Sequence, residues 1–322
     1  MPGEFELIAR YFTRASRTAA LGVGDDCALI RQPDGLALAV TTDMLVESVH
    51  FFPEVDPESL GHKTLAVNLS DLAAMGAEPR WATLALSLPS IDDDWLAAFS
   101  RGLFALADQE GVELIGGDTT RGPLTLCMTL LGLSPPGLAL RRDGACPGDD
   151  LWVSGATGEA ALAVAHRRGT LALAPADLAV CARRLDWPQP RIALGKALRG
   201  VASSAIDISD GLVQDLGHIC ERSRVAAELH WASLPQTLAV RAAGDAGRAA
   251  LLGGGDDYEL LFAAAPDQRE RIERIGLACN MPLARIGRIV PAADVIETGR
   301  VRLLDPDGAT IDLASGGFDH FE

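Results

Sequence analysis

LALAVTT (36–42), PESLGHKTLAVNLSDLAAM (57–75) and ATLALSL (82–88) set the fold class of the first half of the chain. The first and third are apolar runs bounded by turn residues and read as strands. The segment between them reads as a helix that stops at Gly76, a natural position for the left-handed residue after a helix. LTLCMTLLG (124–132) reads as a further strand, mostly apolar with β-branched residues. Residues 92–109 read as a second helix, with Trp95, Leu96, Phe99, Leu103 and Leu106 on one face and Gly111 beyond its end. Strands alternating with helices predict an α/β (α+β) layer built on a sheet.

SPPGLALRRDGACPGD (134–149) interrupts this pattern with Pro and Gly, and predicts a domain boundary dividing the chain into 1–137 and 138–322. Beyond it, DLWVSG (150–155) starts a fresh strand, followed by Ala-rich helices near 158–168, 176–186 and 191–199. AIDI (205–208) reads as a short strand feeding a helix at 210–222, capped by Ser209 or Asp210, with Leu212, Val213, Leu216 and Ile219 facing inward. A strand at 258–264, a helix near 266–278 and a hairpin around DPDG (305–308) complete a second α/β domain.

At 322 residues the chain is long for one hydrophobic core, in keeping with two domains. Its 28 basic and 44 acidic residues leave a net charge of −16, which makes nucleic acid and anionic membrane poor partners. Solubility alone would account for an acidic excess, but not for where the acids sit. The cysteines (Cys27, Cys127, Cys146, Cys181, Cys220, Cys279) form no CxxC pair, which argues against a zinc site or disulfide framework and fits a reducing compartment. MPGEFELIARYF at the start has no apolar signal core, and no run of 18 apolar residues occurs, so a cytoplasmic protein without a membrane span is expected.

The acids gather in short segments beside glycine or small hydroxyl residues: GVGDD (22–26), TTD (41–43), NLSD (68–71), GGDTT (116–120), DISDG (207–211) and GGGDD (253–257). Small neighbours let a backbone approach a ligand, and clustered carboxylates favour hard cations. Two carboxylates about 4 Å apart repel by roughly 4 kcal/mol at an effective dielectric near 20, so several in one cleft call for a divalent metal. Each Asp alone reads equally as a cap or turn former; together they point to a Mg²⁺–nucleotide site. GxxxxGK[ST], the protein-kinase motifs, GxSxG and HExxH are all missing. Phosphate handling is then left to glycine-rich backbone, Mg²⁺ on Asp and a few basic residues. Arg141 and Arg142 are either a phosphate clamp or solvated linker charges, and Arg121 beside GGDTT is equally ambiguous. His50, in VESVHFF, either donates to a substrate phosphate or packs in its loop.

Through GEFELIARYF, GVGDDCAL, TTDMLVESVHF, KTLAVNLSDLAAMGAEPRWATLALSLP (63–89), LIGGDTTRGPL, DISDGLVQDLGHI, GGGDDYEL and GFDHF, the chain resembles the thiamine-monophosphate kinases almost end to end. These share an ATP-binding superfamily with aminoimidazole ribonucleotide synthetase, selenophosphate synthetase and a hydrogenase maturation protein. The resemblance implies a homodimer paired through the sheets of N-terminal ATP- and Mg²⁺-binding domains (1–137), with a C-terminal α/β domain (138–322) completing each cleft. It further implies that Asp26, Thr41, Thr42, Asp43, Asp71, Asp118, Asp207 and Asp210 hold several Mg²⁺ ions. Gly117, Asp118, Arg142 and Ser209 would contact ATP, and His50, Asp256 and Phe318 would contact thiamine monophosphate. Asp256 stands where the family often has Glu, and Phe318 where it often has Tyr or Trp.

The implied reaction is ATP-dependent phosphorylation of thiamine monophosphate to the diphosphate by direct in-line transfer. The acceptor monoester has a second pKa near 6, so no covalent or general-base residue is required. The alternatives are another ATP-dependent enzyme of the superfamily and a non-catalytic nucleotide sensor. Selenophosphate synthetase would carry a reactive Cys and Lys in an N-terminal glycine-rich segment, whereas the first cysteine here, Cys27, follows GVGDD.

Overall fold

The computed structural model describes residues 4–23, 27–294 and 300–312. The chain divides into two compact units, Met1–Leu72 with Ala77–Gly137, and Ala73–Gly76 with Leu138–Glu322. In the first unit, α1 (Glu4–Leu7) precedes β1 (Ala37–Val46), α2 (Pro57–Ala74), β2 (Glu78–Leu88), α3 (Asp93–Glu110), β3 (Glu113–Arg121) and β4 (Thr125–Ser134). The sheet runs β1-β4-β2-β3, antiparallel except for the parallel β2–β3 pair, and α3 supplies the crossover that a parallel pair needs.

Local chemistry explains the helices. The Asp92 carboxylate caps α3 by accepting the Asp94 and Trp95 amides at 3.0 Å, and Gly111 ends it at φ 71°. Leu96, Phe99, Leu103 and Leu106 are all buried. α2 is enclosed on every side, with each residue from Ser59 to Ser70 buried. The two helices touch through reciprocal glycines: a Cβ on Gly102 would lie 1.8 Å from the Glu58 carbonyl oxygen, and one on Gly61 would lie 2.0 Å from that of Phe99. Opposite the helices, Leu38, Val40 and Met44 of β1 are 37%, 59% and 54% exposed, so this face of the sheet is open and partly apolar.

Three strands differ from the sequence reading, β2 by starting at Glu78. β1 continues to Val46, which puts Asp43 inside a strand instead of at its end. LIGGDTT, whose glycines and acid mask its pattern, forms most of β3.

The second unit holds β5 (Asp150–Ser154), α4 (Glu159–Arg167), α5 (Pro175–Asp186), α6 (Ile192–Ala197), β6 (Ser204–Asp207), α7 (Leu212–Ser223) and β7 (Val225–His230). α8 (Leu238–Ala242), α9 (Gly244–Gly253), β8 (Leu260–Ala264), α10 (Arg269–Ala278), β9 (Leu283–Pro291), β10 (Val301–Leu304) and β11 (Thr310–Ile311) follow. The sheet order is β11-β10-β7-β9-β5-β8-β6, with only β7–β10 parallel. Every residue of β5, β6 and β8 is buried, as expected of strands covered on both faces. β7, β9, α8 and α9 were absent from the sequence reading. Among the described residues no helix is long and apolar enough to cross a membrane.

Buried Glu228 of β7 takes the Arg288 guanidinium at 2.7 Å and a second ion pair from Arg302. Burial pushes its carboxyl up, but the bonds from Arg302 and Arg288 prevail and hold it below the ordinary value of 4.5.

Two outcomes follow from this packing. Gly102→Ala should destabilise the protein in denaturant titration by about 1–3 kcal/mol, because the clash is with backbone and outweighs the ~1 kcal/mol helix-propensity gain; a stabilised variant would refute the close contact. Glu228's depressed folded pKa contributes stability above its unfolded pKa, and this is lost as pH falls through the folded value. Wild type should therefore out-melt Glu228→Gln at pH 7, with the gap narrowing below about pH 4; a gap independent of pH would contradict the assignment.

Candidate functional site

Within the first unit, the sheet pleat sorts the candidate residues onto opposite faces. Thr41 and Asp43 share the helix-covered face: the Thr41 hydroxyl donates to the Asp71 carboxylate on α2, and the Asp43 amide donates to Asn68 Oδ1 at 3.1 Å. Asn68 in turn donates from Nδ2 to the Thr64 carbonyl at 3.2 Å, so one turn of α2 fixes both contacts. Thr42 lies on the open face, its Oγ1 2.8 Å from Thr129 Oγ1. Asp118, paired in register with exposed Ala85, belongs to that same open face. The structure thus brings Thr41, Asp43 and Asp71 together and leaves Thr42 and Asp118 on the other side of the sheet.

Gly117 has a reason of its own to be glycine. At φ 154°, a Cβ there would sit 1.9 Å from the Leu84 carbonyl oxygen across the β2–β3 pair. Strand packing accounts for it without a ligand.

His50 is held in a tight turn. Its amide donates to the Val46 carbonyl at 2.9 Å, and its Nδ1 accepts the Val46 amide at 2.9 Å. With Nδ1 an acceptor, the neutral ring carries its hydrogen on Nε2.

In the second unit two of the acidic segments are in direct backbone contact. The Asp256 amide donates to the Ser209 carbonyl at 2.9 Å and the Tyr258 amide to that of Ile208 at 2.8 Å, while the Ile208 amide donates to Glu259 O at 2.9 Å. The approach requires glycine: a Cβ on Gly255 would lie 2.3 Å from the Ser209 carbonyl oxygen. Asp256 and Tyr258 both adopt left-handed conformations, φ 67° and 51°, and the Tyr258 hydroxyl donates to Asp256 Oδ1 at 3.1 Å. DISDG and GGGDD therefore form one surface, on which Asp256 adjoins Ser209 and Asp210.

The remaining acids of these segments have structural partners. Asp257 accepts the Gly158 amide at 2.9 Å at the start of α4, and burial drives its pKa well above the ordinary value despite that bond. Glu259, fully buried, pairs with Arg191 and with Arg184 at 3.5 Å, and accepts the Ser154 hydroxyl at 2.5 Å. Arg141 is occupied by Asp143, with Nε 2.8 Å from the carboxylate. Arg142 is exposed and makes no ion pair among the described residues.

The cap expected from Ser209 or Asp210 is reversed. Asp215, from the first turn of α7, accepts the amides of Ser209, Asp210 and Gly211, each at 3.1 Å. Burial pushes the Asp215 carboxyl up to about 7; the Asp210 and Gly211 amides oppose this, and the charges of Asp210 and Asp207 add to it. Sequence reading passed over Asp215, and the signal lay in its spacing: an acid four residues after Gly211, within reach of the orphan amides at the helix start.

The donor set suits Mg²⁺. Taken unit by unit, Thr41, Asp43 and Asp71 in the first and Asp207 and Asp210 in the second each carry oxygen donors alone, the preference of a small hard cation. No group of three or more His, Cys, Asp or Glu stands ready-clustered among the described residues, and Asp26 and Phe318 lie outside them. Cysteine chemistry has no foothold at the buried thiols. Burial pushes Cys181 up to about 11 and Cys220 up to about 12, far from thiolate at neutral pH.

The chain matches known proteins along nearly its whole length. The AIR synthase related protein, N-terminal domain, family matches residues 24–134. Thiamine-monophosphate kinase of Salmonella typhimurium is 45% identical over 326 residues, covering 99% of this chain and 98% of that protein. The crystal structure of thiamine-monophosphate kinase from Stenotrophomonas maltophilia K279a superposes at TM-score 0.84 with 48% identity, over 95% of each chain. AaThiL complexed with AMPPCP and TMP superposes at TM-score 0.77 with 28% identity, over 93% of this chain and 92% of that one. With near-complete coverage on both sides, the chain belongs to the thiamine-monophosphate kinase family.

Proposed function

We propose that this protein transfers the γ-phosphoryl group of ATP to thiamine monophosphate, giving ADP and thiamine diphosphate. The observation that carries the reading is the loop pair of the second unit, which seats the proposed substrate contact Asp256 against the proposed nucleotide contact Ser209. A kinase joining two phosphates must hold donor and acceptor side by side, and adjoining backbone segments are a rigid way to do so. The complex of AaThiL with AMPPCP and TMP supports the same two ligands.

In this reading a phosphate oxygen of thiamine monophosphate attacks the γ-phosphorus in line, and the bond to the β,γ-bridging oxygen breaks. The acceptor oxygen is already largely ionised at neutral pH, so no side chain need remove a proton. Gly117, Asp118, Arg142 and Ser209 bind ATP, Arg142 through a guanidinium with no ion pair among the described residues. His50 donates from Nε2 to the substrate phosphate, and Asp256 and Phe318 complete the acceptor site. Asp26, Thr41, Asp43, Asp71, Asp207 and Asp210 are residues that would hold Mg²⁺, while Thr42 and Asp118, on the opposite face of the sheet, would hold a separate ion. When bound, Mg²⁺ neutralises the converging polyanions. The open sheet face with Leu38, Val40 and Met44 is the proposed homodimer surface, since exposed apolar residues gathered on one face mark interfaces. A reducing, cytoplasmic setting accords with the free cysteines.

Incubating the protein with Mg²⁺, ATP and thiamine monophosphate should yield ADP and thiamine diphosphate in equal amounts, while ATP turnover indifferent to the acceptor would refute the reading. Asp71→Asn should lower turnover below about 1% of wild type with an unchanged melting temperature, since losing even an outer partner of a metal ligand costs about 10- to 100-fold. Near-wild-type turnover would remove Asp71 from the metal site. Val40→Glu should shift the protein from dimer to monomer in light scattering, and a dimer unaffected by the charge would place the interface elsewhere.

A further inference from the structure

We propose that Ser223, the last residue of α7, is a positioning residue of the kinase: it clamps the turn that presents the Arg142 guanidinium to the phosphates of ATP. The inference rests on the kinase reading above, in which Arg142 contacts the nucleotide. RRD (141–143) sets two adjacent arginines beside one acid. Asp143 holds Arg141 in a two-pronged ion pair, with Nε 2.8 Å from Oδ1 and a second bond from the same guanidinium to Oδ2. Arg142 is exposed, and its side chain has no ion pair among the described residues. Arg142 is therefore the member of the pair that can meet an anion, and a guanidinium fork matches phosphate oxygens.

The turn beneath Arg142 is tied down at three points. The Ser223 hydroxyl donates to the Arg142 carbonyl at 2.8 Å and accepts the Ala145 amide at 3.1 Å, so one side chain closes the turn from both ends. The Arg141 carbonyl accepts the Ala205 amide at 2.9 Å, which joins the turn to β6, the strand that leads into Ser209. A Cβ on Gly144 would lie 1.9 Å from the Ser203 carbonyl oxygen, so the chain crosses there with no room for a side chain. Serine ordinarily serves a helix as its N-cap, and at the C-terminal end of α7 it has no such task. Both hydrogen-bonding functions of its hydroxyl go to the Arg142 turn instead. A long side chain on a fixed turn loses less freedom on meeting a polyanion than one on a loose loop.

A tether that merely stabilised the second unit would affect every ligand alike, so the test compares ligands and backgrounds. Ser223→Ala removes the hydroxyl and Ser223→Thr keeps it. Each is measured for cooperative melting and, by calorimetry, for binding of Mg²⁺–AMPPCP and of thiamine monophosphate. Ser223→Ala should bind Mg²⁺–AMPPCP about 3- to 10-fold more weakly, the scale of ordering one long side chain on binding, and thiamine monophosphate within about twofold of wild type. Ser223→Thr should restore the nucleotide affinity. In an Arg142→Ala background, Ser223→Ala should change nucleotide binding by less than about twofold, because the residue it positions is gone. Wild-type nucleotide affinity in Ser223→Ala, an equal loss for both ligands, or an undiminished loss in the Arg142→Ala background would each overturn the proposal. Should Ser223→Ala fail to melt cooperatively, Ser223→Val, matched in shape to threonine, takes its place. Equal nucleotide affinity in the valine and threonine variants then overturns the proposal, and weaker binding by the valine variant supports it. A wild-type protein that binds Mg²⁺–AMPPCP but makes no thiamine diphosphate would defeat the kinase reading and leave this comparison standing.

Discussion

Backbone pressed against backbone, with glycine as the only residue that fits, is the constraint on which the candidate site depends. Gly255 lies against the Ser209 carbonyl at a separation no side chain tolerates, and the Asp256 and Tyr258 amides that follow it complete the bonds between the two loops. These bonds hold Asp256 and Tyr258 in left-handed conformations that cost on the order of 1–3 kcal/mol each when unsupported. The strain is offset by neighbours that leave no alternative path: Glu259 is anchored by Arg191 and Ser154, and Asp257 by the start of α4. The ordinary reading of a glycine-rich segment is close approach to a ligand. Here the approach is to another segment of the same chain, and a ligand surface is its by-product.

The first unit solves a similar problem with side chains. Three oxygen-bearing residues from a strand and a helix converge because one turn of α2 offers Asn68 and Asp71 at a spacing of three, both turned toward β1. The reciprocal packing of Gly61 and Gly102 lets α3 lie close against α2 and pins the helix that carries these groups. The strand itself contributes alternation. Thr41 and Asp43 point to the helices while Thr42 points away, so the compact TTD motif divides its residues between two surfaces.

How far the sequence disclosed this structure depended on whether the signal was local. The α3 helix was legible nearly to its ends, because Asp92 and Gly111 are caps with local chemistry and its apolar stripe is regular. β3 was hidden, since a strand containing two glycines and an aspartate carries no apolar alternation, and what stabilises it is the neighbouring β2. β7 and β9 were hidden for a related reason. Glu228, Arg288 and Arg302 look like solvated charges until the sheet brings them together. The candidate site was legible as a set of residue types, through the family motifs, but not as a geometry. Nothing local distinguishes Asp257, a helix-end partner, from Asp256 beside it, and nothing local reveals that Asp215 reaches back over Gly211.

The strand order of the first unit also has a consequence for synthesis. β1 lies at the sheet edge and its partner is β4, with Ala37 set opposite Ser134. As the chain leaves the ribosome, β1 must therefore wait for roughly 90 further residues, about 5–20 s at ordinary elongation rates of about 5–20 residues per second. Throughout that interval Leu38, Val40 and Met44 are presented on an unpaired strand with high β-propensity. Nascent chains crowded on one message would expose the same segment to one another at that stage. Loop closure over such a separation also makes the N-terminal sheet a late and slow step, whatever its final stability.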